Sequence, residues 1–340
     1  MKFHFLGTSA GSPTVERNVT SLALTFDQRS RWYMFDCGDG TQQRILRTSL
    51  SLPRMDKIFI THMHGDHIYG LPGILTSRGL MCGTDAGVDI YGPRGIKKFI
   101  DTVLRVSYTR VHYPIKIHEF TEAGELYSDD NETVSVVELS HDIPSFAYVL
   151  KEKDRPGTFD VKKAQEAGIP SGPLFGKLSK GGKISLEDGR EFDGKDFIGP
   201  SKKGRKIVIG GDNDSPQLLA QELEDACLLI HEATHTEEVR ENLKWNSKHS
   251  TAKTVGETAE KAKLKNLILT HFSPRFSLRS SPDQPHSIEV VRKEAEDVYK
   301  NGSLFLAQDS DIFHLDRDEE VSLEYRRRYN NKNKLSGSGS

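Results

Sequence analysis

The chain contains no hydrophobic run able to cross a bilayer. Its longest apolar stretches, at 226–230 and 266–270, are strand-sized, against the roughly 18 residues a spanning helix needs. Cysteine is scarce: Cys37, Cys82 and Cys227 form an odd, scattered set that argues against a disulfide framework and a cysteine-rich zinc site. Excess charge is also missing, since 47 Lys+Arg against 49 Asp+Glu leave −2. A nucleic-acid partner would therefore have to be held by a local basic patch. No apolar leader with a small-residue cleavage site follows Met1, which sets a cytoplasmic expectation. Apolar residues are not lacking, at 35% with 28% charged, so the 340 residues are globular rather than disordered. The Gly/Ser alternation at 336–340 reads as an appended linker outside the fold.

Short β-branched or aromatic runs at 22–26, 32–35, 57–61, 88–91, 134–139, 146–150, 206–209, 227–230, 267–270 and 303–306 predict strands. Apolar positions recurring every three or four residues at 96–104, 217–226, 251–262 and 287–299 predict helices. Their alternation in both halves indicates a layered α/β fold. Residues 151–204 break the pattern with Pro156, Gly157, Gly168, Pro170, Gly172, Pro173, Gly176, Gly181 and Gly182. Such a stretch is expected to be an inserted arm rather than core.

The strongest signal is Thr61-His62-Met63-His64-Gly65-Asp66-His67, directly after the apolar Ile58-Phe59-Ile60. In extended backbone His62 and His64 point to the same side and can share one ion. Gly65 lets the chain turn so that Asp66 and His67 face a second position. Imidazole with carboxylate oxygen suits Zn²⁺, and also Mn²⁺ or Fe²⁺. The strand-then-ligand arrangement recurs at His141, Asp212 and His271, each just beyond an apolar run. Singly, each would pass for an ordinary loop residue; together they describe one site at the carboxyl ends of strands.

The HxHxDH motif with later His, Asp and His resembles the metallo-β-lactamase superfamily. That resemblance implies an αββα sandwich of two β-sheets flanked by helices, with a two-metal site at one edge. By it, His62, His64 and His141 would hold one Zn²⁺, Asp66, His67 and His271 the other, and Asp212 would bridge them. A finer resemblance, covering most of 1–315, is to the ribonuclease Z family of tRNA 3′-processing endonucleases in its short form. It rests on Phe5-Leu6-Gly7-Thr8-Ser9-Ala10-Gly11, Phe35-Asp36-Cys37-Gly38-Asp39-Gly40, His231-Glu232-Ala233-Thr234, His249-Ser250-Thr251, Ala307-Gln308-Asp309 and the Gly/Pro segment 168–178. Two departures stand out: Asn213 follows Asp212 where the family usually has Thr, and Ala147 replaces a common Gly.

The resemblance implies removal of the 3′ trailer from precursor tRNA, leaving a tRNA 3′-hydroxyl and a 5′-phosphate on the trailer. Asp66 would take the proton of the attacking water, and His249 would protonate the leaving oxygen, with Glu232 orienting it. The 151–204 arm would grip tRNA through residues such as Lys162, Lys163, Lys177, Gly172 and Pro173. Its lysines concentrate positive charge that reads phosphate shape rather than sequence. Homodimers, with no DNA or membrane partner, complete what the family implies. A single domain at 1–315 followed by a basic tail at 316–340 is expected. The Gly-rich turn 7–11 is equally consistent with phosphate contact and with packing. A small-molecule phosphodiesterase or sulfatase on the same fold is the alternative, since it would share the ligands but not need a basic arm.

Overall fold

In the computed structural model, which describes residues 1–84, 86–282 and 284–326, the chain forms two compact units. The larger comprises the described residues of 1–127, 134–150 and 206–326; the smaller comprises 128–133 and 151–205.

Strand alternation builds the larger unit. One sheet has eight strands in the order Val321–Tyr325, Ile312–Leu315, Lys2–Gly7, Ser21–Phe26, Arg29–Cys37, Met55–Phe59, Val88–Pro93, Ile115–Phe120. The other has seven, in the order Ser303–Leu306, Asn266–Thr270, Leu228–Glu232, Lys206–Ile209, Ser145–Glu152, Glu132–Leu139, Gly124–Ser128. Phe3, Phe5, Phe35, Phe59, Ile207, Ile209, Ile230 and Tyr148 meet between the sheets as one buried core. The alternate residues face outward under helices. Met34, Ile58 and Ile90 pack with the helices Leu71–Met81 and Ile96–Val106, while Val208, Leu229 and Leu267 pack with Ala252–Lys261 and Ile288–Val298. The result is helix, sheet, sheet, helix. Among the described residues no helix is long and apolar enough to cross a membrane.

Four strand ends converge on one edge, where hydrogen bonds tie neighbouring strands and the two sheets together. Phe146 N–H donates to Thr61 O (3.1 Å), Gly211 N–H to Phe146 O (3.2 Å), Phe272 N–H to Thr8 O (2.9 Å), and the Tyr148 hydroxyl to Ile60 O (2.6 Å).

The helix expected at 217–226 is instead a 3₁₀ turn, Pro216–Leu219, and one α-turn, Ala220–Leu223. Asp225, with φ of 60°, stops it. The domain also runs past 315: Val321–Tyr325 adds an edge strand, and Arg326 pairs with buried Asp311 at 2.6 Å, so the sheet claims the first part of the expected tail. The basic residues expected beyond it, Arg327, Arg328, Lys332 and Lys334, and the Gly/Ser linker lie outside the described residues.

The smaller unit has its own core of Ala164, Ile169, Leu178, Ile184 and Phe197, assembled from the helices Val161–Glu166 and Pro173–Leu178 and the hairpin Lys183–Ser185/Glu191–Asp193. Buried Arg205 donates to both carboxylate oxygens of Glu152 at 2.8 and 2.7 Å.

Candidate metal centre

His62 lies beyond the strand Met55–Phe59, His141 beyond Glu132–Leu139, Asp212 beyond Lys206–Ile209 and His271 beyond Asn266–Thr270. His64 caps a single helical turn, Gly65–Ile68, that carries Asp66 and His67. A Cβ at Gly65 would meet the Tyr69 ring at 2.2 Å, so any larger residue here would push that ring aside.

The seven expected ligands form two donor sets. In the first, His64 Nδ1 is 3.1 Å from His62 Nε2 and 3.1 Å from His141 Nε2, and Asp212 Oδ2 is 3.5 and 3.9 Å from the same two Nε2 atoms. In the second, His67 Nε2, His271 Nε2 and Asp66 Oδ2 are 3.3–3.4 Å apart, with Asp212 Oδ2 3.6 Å from His67 and Oδ1 3.4 Å from His271. Four donors about 2.1 Å from one zinc ion at tetrahedral corners are separated by about 3.4 Å. Both sets fit a small divalent cation, and Asp212 faces both.

Buried partners turn the imidazole lone pairs inward. Asp36 Oδ2 accepts the His67 Nδ1–H at 2.7 Å and the Thr61 hydroxyl at 2.8 Å, and Thr61 Oγ1 in turn lies 3.0 Å from His62 Nδ1. Glu232 accepts the Thr234 hydroxyl at 2.6 Å, and Thr234 Oγ1 lies 3.0 Å from His271 Nδ1. His141 Nδ1 donates to Lys248 O at 2.8 Å. Asp36, Thr61 and Thr234 carry no expected role in the sequence, although all three sit in the quoted motifs; Asp36 lies 25 and 31 residues from Thr61 and His67, and Thr234 lies 37 from His271, separations that leave no spacing signal.

His249 stands beside the second set, its Nδ1 3.2 Å from Glu232 Oε1 and 3.8 Å from Asp212 Oδ2, its ring stacked on His271. Burial pulls its pKa down, but the Glu232 and Asp212 carboxylates outweigh that and raise it to about 9. Burial pushes Glu232 up, and the His249 charge and hydrogen bond more than offset it, leaving it at about 2. Burial likewise opposes ionisation of Asp66, yet His67 and His271 hold its carboxyl well below the usual range. The Gly-rich turn contributes directly to this carboxylate: Gly11 N–H donates to Asp66 Oδ2 at 2.8 Å.

Asn213 is fully buried. Its Nδ2–H reaches His231 Nε2 at 3.2 Å, its Oδ1 accepts from Ser215 N–H at 3.0 Å, and its N–H donates to Glu232 at 3.2 Å. Ala147 is buried in the outer core of the seven-stranded sheet.

In the smaller unit, Gly172 (φ 129°), Pro173, Lys162 and Lys177 are exposed. Lys162 lies 3.9 Å from Glu166, and Lys163 Nζ donates to Asp196 O at 2.6 Å. They line one folded unit rather than a loose loop, and none is among the residues of the metal centre.

Comparison with known proteins follows the same lines. A "Ribonuclease Z" of Brevibacillus brevis is 43% identical over 295 residues, covering 87% of this chain and 91% of that protein. A "Ribonuclease Z" of Thermosynechococcus vestitus is 44% identical over 327 residues, covering 95% and 77%. The crystal structure of human tRNase Z, short form, superimposes with a TM-score of 0.64 at 26% identity, covering 92% of this chain and 98% of that one. Bacillus subtilis YhfI, a metallo-β-lactamase fold protein, gives 0.61 at 17% identity, covering 92% and 98%, and shows the fold alone. Residues 1–144, fewer than half of the chain, match the family described as Anti-Pycsar protein Apyc1. The helix–sheet–sheet–helix sandwich is thus the metallo-β-lactamase fold.

Proposed function

The chain belongs to the ribonuclease Z family, metal-dependent hydrolases that act as tRNA 3′-processing endoribonucleases, and from that premise we propose how its own residues carry out the reaction. The observation that carries the reading is the pair of donor tetrahedra sharing Asp212. His62, His64, His141 and Asp212 would hold one Zn²⁺, and Asp66, His67, His271 and Asp212 the other. When bound, such a pair acidifies water and neutralises charge on the scissile phosphate.

Asp66 has one oxygen fixed by Gly11 N–H, so its carboxylate is held in place to accept the proton of the attacking water. As the water oxygen bonds to phosphorus, the bond from phosphorus to the upstream 3′-oxygen breaks. His249 donates a proton to that oxygen from Nε2, because Glu232 engages Nδ1 on the opposite side of the ring and keeps the imidazole charged. The products are a tRNA 3′-hydroxyl and a trailer 5′-phosphate.

The smaller unit serves as the tRNA-gripping arm, through Lys162, Lys163, Lys177 and the Gly172-Pro173 turn; its exposed lysines support this. Leu80, Met81, Val106 and Tyr108, exposed at the ends of the helices Leu71–Met81 and Ile96–Val106, offer apolar surface to a second copy in a homodimer. Cys37, Cys82 and Cys227 form no disulfide among the described residues, which supports a reducing, cytoplasmic setting.

The test is cleavage of a precursor tRNA by the intact protein, the Asp66→Ala variant and one lacking residues 160–183, with bis(p-nitrophenyl) phosphate in parallel. Loss on both substrates with Asp66→Ala, and on tRNA alone without 160–183, is expected. Hydrolysis of the small diester without tRNA cleavage would move the small-molecule phosphodiesterase into first place.

A further inference from the structure

Beside the metal-binding loop, the helix Ile96–Val106 carries a row of cations that the reaction above does not use. Ile96 and Ile100 anchor its inner face. Lys98, Thr102 and Arg105, spaced four and three residues apart, share the opposite, solvent-facing side. With Arg94 they line a cavity of about 560 Å³ completed by Gly95, Lys97, Asp101 and Glu119.

Both acids in that cavity are already engaged. Asp101 binds the Lys97 ammonium at 2.5 Å, and Glu119 Oε1 accepts Gly95 N–H (2.7 Å) and Lys97 N–H (3.2 Å) at the helix start. Arg94, Lys98 and Arg105 enter no ion pair among the described residues. With Lys97 balanced by Asp101, the cations Arg94, Lys98 and Arg105 against the one carboxylate of Glu119 leave a net +2 along this ridge, a local anion-binding surface in a chain with a net charge of −2.

The ridge joins the metal centre through apolar contacts. A Cβ placed on Gly95 would lie 3.9 Å from Met63 Cε, and Met63 sits between the ligands His62 and His64. The Phe99 ring, on the flank of the same helix, stacks on Tyr69 at 6.4 Å and 30°. Tyr69 follows the ligand His67 by two residues and Asp66 by three, and is 63% exposed. An exposed aromatic that ends the helical turn carrying two metal ligands and stacks on the helix bearing a basic groove has the features of a single-strand path: a stacking platform followed by phosphate contacts. A rigid duplex has no unpaired base to offer that ring.

Resting on the tRNA-processing reading, we infer that Tyr69 and the Arg94/Lys98/Arg105 ridge form a binding site for the single-stranded 3′ trailer. The first trailer base stacks on Tyr69 and the following phosphates run along the helix. The seven helical steps from Lys98 to Arg105 span about 10 Å, enough for two to three phosphates.

Three single-strand phosphate contacts give a salt slope of about 2, or about 50-fold in affinity between 1 M and 0.15 M salt. The test compares the intact protein with Arg94→Ala/Lys98→Ala/Arg105→Ala, all exposed positions, on precursors with trailers of one and twelve nucleotides. Hydrolysis of bis(p-nitrophenyl) phosphate reports the fold, and anisotropy of a labelled twelve-nucleotide RNA reports binding directly. On the long-trailer precursor, KM is expected to rise by tens of fold at 0.15 M salt with kcat unchanged, and the rise disappears toward 1 M. The one-nucleotide precursor and the small diester are unaffected, and the free oligonucleotide binds the variant more weakly. Tyr69→Ala raises KM at least fivefold for the long trailer, and Tyr69→Phe restores it. Equal KM increases for both trailers would assign the ridge to the tRNA body and overturn the proposal, as would unchanged oligonucleotide binding. If the intact protein cleaves neither precursor, the tRNA reading itself fails; cleavage with no difference between intact and variant proteins sinks only the trailer site.

Discussion

Asp36→Asn is a near-isosteric change at a residue that touches no candidate ion, yet the geometry predicts that it cripples one ion site. Asp36 Oδ1 accepts the Thr61 N–H at 2.8 Å, and Oδ2 accepts the Thr61 hydroxyl at 2.8 Å and the His67 Nδ1–H at 2.7 Å. Both oxygens receive only donors. An asparagine offers one acceptor oxygen and one NH₂, so either orientation sets N–H against N–H. With the amide nitrogen toward His67, the imidazole can respond only by moving its proton to Nε2. That is the atom facing Asp66, His271 and Asp212, and protonation removes the lone pair a metal needs. Losing support of this kind costs about 10- to 100-fold in metal affinity, or about 1.4–2.7 kcal/mol. With the amide nitrogen toward Thr61, a buried N–H is stranded instead, at about 1–3 kcal/mol of stability. The assay is calorimetric titration of zinc into chelator-stripped protein, with both binding steps resolved. The Asp66/His67/His271 step is expected to weaken 10- to 100-fold. The His62/His64/His141 step, linked to Asp36 only through the Thr61 hydroxyl, should weaken less. Two unchanged steps, or a greater loss in the His62 set, would refute the reasoning.

Further outcomes are open to measurement. His249→Ala should lower cleavage of precursor tRNA by about 10²- to 10⁴-fold while sparing bis(p-nitrophenyl) phosphate, whose leaving group needs no proton; equal loss on both would remove the donor role. Asp309 is buried, which raises its carboxyl to about 6 despite Arg44 at 3.1 Å and donation from Asn18 and Thr8. The folded chain therefore binds this proton more tightly than the unfolded one, so the stabilisation is present below pH 4 and lost as pH rises through about 6. Relative to Asp309→Asn, chelator-treated protein should lose about 3 kcal/mol between pH 4 and 7, read by urea melts at each pH; a flat difference would contradict the burial argument. Glu152→Ala leaves buried Arg205 without its bidentate carboxylate, at about 3–5 kcal/mol. It should make 151–205 protease-sensitive while small-diester hydrolysis continues, and resistance equal to the intact chain would show that the pair is dispensable.

The parts of the fold legible in the sequence are those whose signal is local. The strand at 206–209 matches its apolar run residue for residue, because a central strand is buried on both faces; 303–306 matches as well, although it is an edge strand, because Leu304, Phe305 and Leu306 form an apolar run of their own. The ligands were legible because each follows such a run. Ile115–Phe120, Gly124–Ser128 and Val321–Tyr325 were not, and all three are edge strands, half exposed and mixed in polarity. Leu71–Met81 hides behind Pro72, Gly73 and Gly79, though proline near a helix start is well tolerated. The core of the smaller unit is drawn from two short helices, a short hairpin and the residues between them, so no period announces it.

What no local pattern reveals is the arrangement behind the ligands, which is the same on both sides. Asp36 acts with the Thr61 hydroxyl on His67 and His62; Glu232 acts with the Thr234 hydroxyl on His271 and, directly, on His249. Asp36, Asp212 and Glu232 are each no more than 3% exposed, and the Asp66 side chain is 11% exposed. Four carboxylates so placed carry a formal charge of −4, and burying that charge without compensation would cost several kcal/mol per group. The histidines cannot supply it as cations while offering lone pairs inward. His249, protonated beside Glu232, offsets one of these charges, and the −3 that remains calls for bound cations. Charge thus argues for metal binding independently of donor spacing. It also explains why His249, engaged by Glu232 from outside the ligand sets, holds a proton: Glu232 touches no ion and has its negative charge available for an imidazolium.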